Sequence, residues 1–471
     1  MYKLLLTFRY LRRKLIPLFA LLAVTLCTAM LIVVLSIMGG FHDLLLNSGT
    51  KLIGDVQLYA GVQGISDYDK ILDEIRELPQ TESAAATIQT IGLLQIPSGP
   101  TLMVEIIGAD PDELTHVIHY KDTLYWSAER LEKQNLAAQY GPHDPVEAAM
   151  KLATPWPRLA EYPAMVMGIE VNPYNTRLKD GSYDFPYPLL ARPLSLTLVP
   201  VSSRGGILEP ATQQFVPVNE FHSGLYDADS KRIFIPFAVA QKMLMMDQAT
   251  RVNPADPTKI LGTIPARCTT IVVRAKAGYT ADQLCAAVNT RYAELMKTNP
   301  DLPDYMQIRT WQELLRKLLD TVQNEKNLMT FLFGIISVVA IIMVLVIFYM
   351  IVLEKTRDIG ILRALGASRL GVASIFLTYA GVIGVIGSAL GTLIAYLIVH
   401  YINEIHQWLG DAFGIVIWDR RVYFFDQIPN QVNWHEIALI VLAAIIASVL
   451  GSIVPAVKAA LVDPVQSLRY E

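Results

Sequence analysis

Four strongly apolar stretches of this chain carry no charged side chain: residues 15–41, 327–353, 370–403 and 437–457. Each is long enough for a helix to cross a hydrocarbon core about 30 Å thick, which takes about 20 apolar residues. In lipid every backbone N–H and C=O must be paired, so such runs fold as helices. Composition agrees with that reading. The chain is 53% hydrophobic and 17% charged, against roughly 25% charge in soluble domains. The first run is roughly twice a signal-peptide core of about 7–15 residues. Leu26 precedes Cys27 where a lipoprotein cleavage site needs a small residue. The first run therefore reads as a retained helix.

Lys and Arg near the spans set the orientation. Lys3, Arg9, Arg12, Arg13 and Lys14 precede the first span, and Lys355, Arg357, Arg363 and Arg369 separate the second from the third. Lys458 and Arg469 follow the fourth. With four spans all three groups fall on one face, the cytoplasmic one; Arg420 and Arg421 sit on the other and weaken the bias slightly. Residues 2–14 place Leu4, Phe8 and Leu11 on one face and read as a short amphipathic helix along the inner surface. Residues 42–326 become a large extracytoplasmic domain with 26 Lys and Arg against 34 Asp and Glu. That acidic balance argues against nucleic acid as a partner.

Within this domain strands are expected at 55–62, 85–96 and 102–108, with a helix over 66–78 that Ser66 would cap. Strand, helix and strand recur at 268–275, 280–296 and 306–310. The simplest architecture is an α/β module, about 42–108 and 265–326, holding a β-rich insertion at about 109–264. The insertion has β-type runs at 193–201, 213–221 and 231–237, a polar helical stretch at 127–152, and an exposed loop at 174–188. Cys268 and Cys285 fall on a strand and the helix after it, in an oxidising compartment, so a disulfide between them and two separate thiols are both open.

Several chemistries are missing. There is no G-x-x-x-x-G-K-[ST], no H-E-x-x-H and no C-x-x-C, and no Asp, Glu, Lys or Arg lies deep in a span. His116 and His119 read as a surface pair without a third ligand. The chain looks like neither an enzyme nor an ion-coupled transporter.

Between the second and third spans lies "EKTRDIGILRALGAS", residues 354–368. Ile359, Leu362 and Leu365 recur on one helical side, Glu354 and Arg357 are spaced to pair, Gly366 suits a left-handed C-terminal turn and Ser368 suits an N-cap. The expectation is a short helix with an apolar stripe, either a force-transmitting lever or a solvated connector. In the third span Gly381, Gly384, Gly387 and Gly391 trace one face, where small residues let helices approach closely. Trp408, Trp418, Tyr423, Phe424, Phe425 and Trp434 in the last outer loop read as an interfacial aromatic belt.

Residues 354–368 resemble the signature of the FtsX/MacB-type ABC permeases, and "VPAVKAALVDPVQSLRYE" at 454–471 is similar to that family's ending. Residues 309–345, 422–437, 162–171 and 221–244 resemble the lipoprotein-releasing LolC/LolE permeases in particular; residues at about 119–160 and 174–193 look like extra length. The resemblance implies a non-catalytic subunit of a bacterial inner-membrane transporter, with cytoplasmic termini and a periplasmic domain. It implies a second permease subunit, as a homodimer or a LolC/LolE-like heterodimer. ATP and Mg would sit on a separate LolD-like ABC ATPase, with no cofactor on this chain. Lipoprotein cargo, membrane lipids and a periplasmic carrier complete the implied partners. Glu354, Arg357, Asp358, Ile359, Leu362, Arg363, Gly366 and Ala367 would couple to the ATPase. By the same analogy Val24, Thr28, Leu31, Leu35, Phe331 and Ile335 would line an acyl-chain slot between the first span of one subunit and the second of the other. A MacB-like export permease and an FtsX-like transducer that activates a cell-wall hydrolase are the alternatives.

Overall fold

The computed structural model describes residues 15–97, 99–178, 181–201, 206–253, 256–299, 302–303, 305–415, 418 and 427–463. The amphipathic helix expected at 2–14, Tyr423, Phe424, Phe425, Arg420, Arg421 and the last eight residues lie outside them. The longer helices are α1 (Leu15–Ile53), α2 (Tyr68–Arg76), α3 (Ala281–Thr298), α4 (Arg316–Glu354), α5 (Thr356–Ala364), α6 (Arg369–His400), α7 (Ile402–Phe413) and α8 (Trp434–Ala460). The chain forms two compact units. One holds residues up to 44, 318–417 and 428–471; the other holds 45–317 and 418–427.

The second unit is built on a nine-stranded sheet: β1 (Val56–Tyr59), β2 (Thr81–Gln95), β3 (Thr101–Ala109), β4 (Ala164–Gly168), β5 (Leu194–Leu198), β6 (Ala211–Phe221), β7 (Arg232–Pro236), β8 (Thr270–Ala275) and β9 (Gln307–Thr310). Their order is β9-β1-β8-β2-β3-β7-β4-β6-β5, and β2 also pairs with β5. The 15-residue β2 therefore serves two structures. Its first half pairs antiparallel with β8 in an open sheet, and its second half closes a ring β2-β3-β7-β4-β6-β5. The expected boundary near 108 does not divide the sheet, because β2 and β3 are staves of the ring formed with the insertion. Closure demands a residue without a side chain at Gly92. A Cβ there would stand 2.4 Å from Ile106 Cδ1 and 2.7 Å from Leu198 Cδ2.

Alternation along the staves divides the core. Val104, Ile106, Met165, Met167, Leu194, Leu196, Ile233 and Ile235 belong to one buried cluster. Their neighbours Ala164, Val166, Val216, Val218 and Phe234 pack on the other face against Leu114, Tyr120, Trp126, Leu131 and Trp156. A third cluster joins β1 and β8 to Ile71, Ile75, Leu284 and Val288 of α2 and α3. Helix α3 opens with a capping box between Thr280 and Gln283. Ser66 does not cap α2. It lies in a two-residue strand, and Asp67, with φ +51°, occupies the N-cap without a side-chain bond.

Residues 174–188 are not simply an exposed loop. Tyr183 and Phe185 are buried, and Thr176–Arg177 pairs with Tyr183–Asp184. The run lacks periodicity because aromatic burial, rather than regular structure, anchors it. Nor is 127–152 a polar helix: Ala128–Lys133, Ala137–Tyr140 and Pro145–Lys151 are short helices that bury Leu131, Tyr140, Ala148 and Ala149.

Among the described residues of the first unit, four helices are long and apolar enough to cross a membrane: Leu18–Leu44, Leu319–Glu354, Arg369–His400 and Trp434–Ala460. A buried cluster of Ala20, Val24, Val344, Phe348, Tyr379, Ile383 and Ala456 unites them.

Candidate functional site

The charged segment forms α5. Gly366 follows it at φ +95°, a left-handed conformation that glycine adopts without strain. Ser368 then caps α6 by accepting from the Gly371 amide at 3.0 Å. At the start of α5 the Lys355 ammonium lies 2.9 Å from Asp358 Oδ2, and the Thr356 hydroxyl donates to the Val352 and Leu353 carbonyls. Ile359 is buried among α4, α6 and α8 residues, and Ala367 packs at its edge. The Arg363 guanidinium donates to the carbonyl of Ala460 at the end of α8.

The expected coupling residues therefore divide into two groups. Ile359 and Arg363 fasten α5 to its own unit, with Leu362 and Asp358 half-buried. Glu354, Arg357 and Gly366 are exposed. The apolar stripe departs from expectation at Leu365, which is 81% exposed. Leu365 continues the helix one turn past the exposed Ile361 and, at about 100° per residue, lies about 120° round from the buried Ile359, so it leaves the buried side. Ile361 and Leu370, which no spacing argument singled out, join it at the surface. The exposed surface thus mixes the guanidinium groups of Arg357 and Arg369 with three large apolar side chains.

The glycines of α6 do not face one partner. A Cβ at Gly384 would meet Ser448 Cβ at 3.1 Å, on α8, and one at Gly381 would stand 3.9 Å from Val449 of the same helix. Gly387 and Gly391 turn to α1, where a Cβ at Gly391 would lie 2.7 Å from the Thr25 carbonyl oxygen. The Ser448 hydroxyl adds a 2.8 Å bond to the Ala380 carbonyl. Gly451 makes a like approach between α8 and α4, where a Cβ would lie 2.9 Å from the Ile341 carbonyl oxygen. It stands alone in the sequence and so has no stripe to reveal it.

Val24, Thr28, Leu31 and Leu35 line a cavity between α1, α4 and α8. Phe331 and Ile335 do not; they are 67% and 49% exposed. At about 100° per residue, Ser337, Ala340, Ile341 and Val344 form the cavity face of α4, and Phe331 and Ile335 lie round the helix from it. The wall from α8, including Ala443 and Ala447, was not anticipated, because alanines in an apolar run carry no distinguishing signal. The cavity also lies within one chain.

Cys268 and Cys285 are free thiols in the structure. Cys268 is buried in the third cluster, which pushes its thiol well above the ordinary range. Cys285 Sγ stands 3.8 Å from the Ile308 carbonyl oxygen, and the Asn289 amide donates to it at 3.4 Å. The His119 ring lies 3.1 Å from Asp122 Oδ2.

Residues 330–464, from within α4 to just past α8, match the FtsX-like permease C-terminal family. The chain is 25% identical to the lipoprotein-releasing system transmembrane protein LolC of Neisseria meningitidis serogroup B, over 56% of this chain and 57% of that protein. It is 28% identical to the LolE protein of Haemophilus influenzae over 36% of this chain and 40% of that one. The chain thus spans about half the length of these curated relatives. Among solved structures, the periplasmic region of MacB from Actinobacillus actinomycetemcomitans aligns over 57% of this chain and 95% of its own length. Its TM-score is 0.31 at 7% identity, too slight a likeness to bear weight.

Proposed function

We propose that this chain is the permease subunit of an ABC transporter. A separate ATPase subunit would dock on the exposed face of α5, and its hydrolysis of ATP would release lipoproteins from the inner membrane toward the outer one. The observation that carries the reading is α5 itself. It lies between two candidate spans, is pinned by Ile359 and Arg363, and still presents Arg357, Ile361 and Leu365 outward. A helix held this firmly moves with its neighbours, so a push on its outer face becomes a displacement of α4, α6 and α8. Coupling then requires only that the ATPase bind two arrangements of these helices unequally.

The cargo assignment is supported by the LolC and LolE relatives, whose names describe a lipoprotein-releasing system. An uncharged cavity lined by α1 suits hydrocarbon chains, each methylene of which is worth about 0.8 kcal/mol in an apolar setting. In this reading the membrane is the bacterial inner membrane, the termini face the cytoplasm, and a second permease chain completes the transporter.

The test is purification of the complex from membranes in mild detergent, with identification of every bound chain. An ABC ATPase together with triacylated protein is the expected result. A complex with no ATPase overturns the transporter reading. An ATPase with a cell-wall hydrolase or a tunnel protein, and no lipoprotein, replaces the cargo.

A further inference from the structure

Helix α7 begins where the candidate span α6 ends, with only Tyr401 between them. At about 100° per residue, Ile402, Ile405, Trp408, Leu409, Ala412 and Phe413 fall within an arc of about 140°, and the polar residues take the rest of the circumference. Ile402, Ile405 and Leu409 are half-buried. Trp408 and Phe413 are 61% and 64% exposed, and their rings meet edge to face at 5.7 Å. Gly414 then ends the helix in a left-handed turn, at φ +68°, and Ile415 after it is exposed as well.

The start of α7 is tied to both neighbouring spans. Asn403 Oδ1 accepts from the Ile428 amide at 2.9 Å, and its Nδ2 donates to the Ile428 carbonyl at 3.2 Å, on the segment that enters α8 at Trp434. The helix is thus held between the end of one candidate span and the beginning of the next. Aromatic rings collect at these two ends. Tyr396 stacks on His400 at 5.9 Å and on Trp434 at 6.3 Å, and His400 meets Tyr401 at 4.7 Å. Trp and Tyr gather where hydrocarbon gives way to headgroups, so these ends of α6 and α8 lie at that depth, and α7 starts there. A helix rising from it into water would leave Trp408 and Phe413 in solvent; one lying in the boundary buries them. The charged residues of α7 are Glu404 and Asp411, both on the polar side, with no Lys or Arg. Nothing in the helix draws it to anionic headgroups, so apolar contact must hold it.

We propose that α7 lies in the plane of the bilayer surface at the end of the bundle opposite α5, with Trp408, Ala412 and Phe413 in the headgroup–acyl boundary of zwitterionic phospholipid. The inference goes beyond the transporter reading: it needs the four candidate spans, but neither the ATPase nor the cargo. A helix of this kind buries its apolar side about 5–10 Å deep, which places Trp408 nearer the upper carbons of an acyl chain than its end.

Trp408 is its own probe. The full-length protein is placed in phosphatidylcholine nanodiscs whose acyl chains carry bromine near the headgroup or near the chain end, and tryptophan fluorescence is compared with that in unbrominated lipid. The quenching lost in Trp408→Phe belongs to Trp408. This component should be large with shallow bromine, smaller with deep bromine and absent with aqueous acrylamide. It should not rise when phosphatidylglycerol replaces part of the lipid. Phe413→Asp should abolish it, and Glu404→Gln, on the polar side, should leave it. Quenching of Trp408 by acrylamide alone would put the helix in water. Quenching by neither would mean that protein, a partner or a second copy, covers it. Either result overturns the proposal, as does stronger quenching by deep bromine or a rise with phosphatidylglycerol. If Trp408→Phe fails to fold, the unaltered chain decides by mass spectrometry. Carbene labels from a phosphatidylcholine with a diazirine at its headgroup end should map to Trp408, Ala412 or Phe413, and their absence from all three overturns the proposal.

Discussion

Glu220 is a fully buried carboxyl whose hydrogen-bond partners are both neutral: the Trp126 indole at 2.9 Å and the Asn175 amide at 3.1 Å. Burial dominates and raises its pKa from 4.5 to about 7, against the smaller opposing effect of these two donors. The folded-state value lies above the unfolded one, so the protonated group favours folding. Its contribution is complete below about pH 4.5 and is lost as pH rises through about 7, a difference of about 3 kcal/mol. Thermal denaturation of the full chain in detergent should therefore show a midpoint that falls between about pH 4.5 and pH 7 and levels off above that. Glu220→Gln should be less stable at the acid end, because its NH₂ would oppose a donor, and its midpoint should change less over that interval. An identical pH slope in the variant would show that Glu220 does not titrate there. Residue-scale logic also applies to Gly391, whose Cβ would stand 2.7 Å from the Thr25 carbonyl oxygen. Gly391→Val should destabilise by about 1–3 kcal/mol through overpacking, read as a lowered denaturation midpoint, while the same change at Gly381, with 3.9 Å of room to Val449, should cost less.

At the scale of the element, α5 has two faces with two tasks, and substitutions should sort accordingly. Arg357→Glu and Leu365→Asp alter the exposed face. They are expected to abolish association with the ATPase, measured by co-purification, with an unchanged denaturation midpoint. Ile359→Ala removes buried side-chain volume beside α4, α6 and α8 and should cost about 2–5 kcal/mol. Arg363→Glu removes the donor to the Ala460 carbonyl and places a carboxylate beside that oxygen, so it should lower the midpoint as well. If Arg363→Glu keeps its stability and loses only the ATPase, the division of α5 into a fastened and a free face is wrong. The start, end and cap of this helix were legible in residues 354–368, because glycine and serine act locally. Which apolar residue turns outward was not, since steps of three residues drift by about 60° each round a helix and carry Leu365 away from the side that Ile359 buries.

For the whole molecule, the reading predicts an assembly: two permease chains with ATPase subunits, measurable as the mass of the complex in mild detergent. A monomer without ATPase would refute it. The four candidate spans follow from the sequence alone, because long runs of strongly apolar residues without turn-formers pair their backbone in lipid as helices. The strands of the outer unit are legible for a similar reason, since alternation and β-branched residues act over a few neighbours. Sequence did not determine that β2 closes a ring with strands of the insertion, that residues 174–188 bury Tyr183 and Phe185, or that α8 supplies a wall of the membrane cavity. Each depends on which surfaces meet after the chain has folded over more than one hundred residues of separation or across a helix whose faces are chemically alike. Local chemistry determines which segments become helices and strands; only packing decides which of their equivalent faces turn inward, and so where a cavity or a docking surface remains.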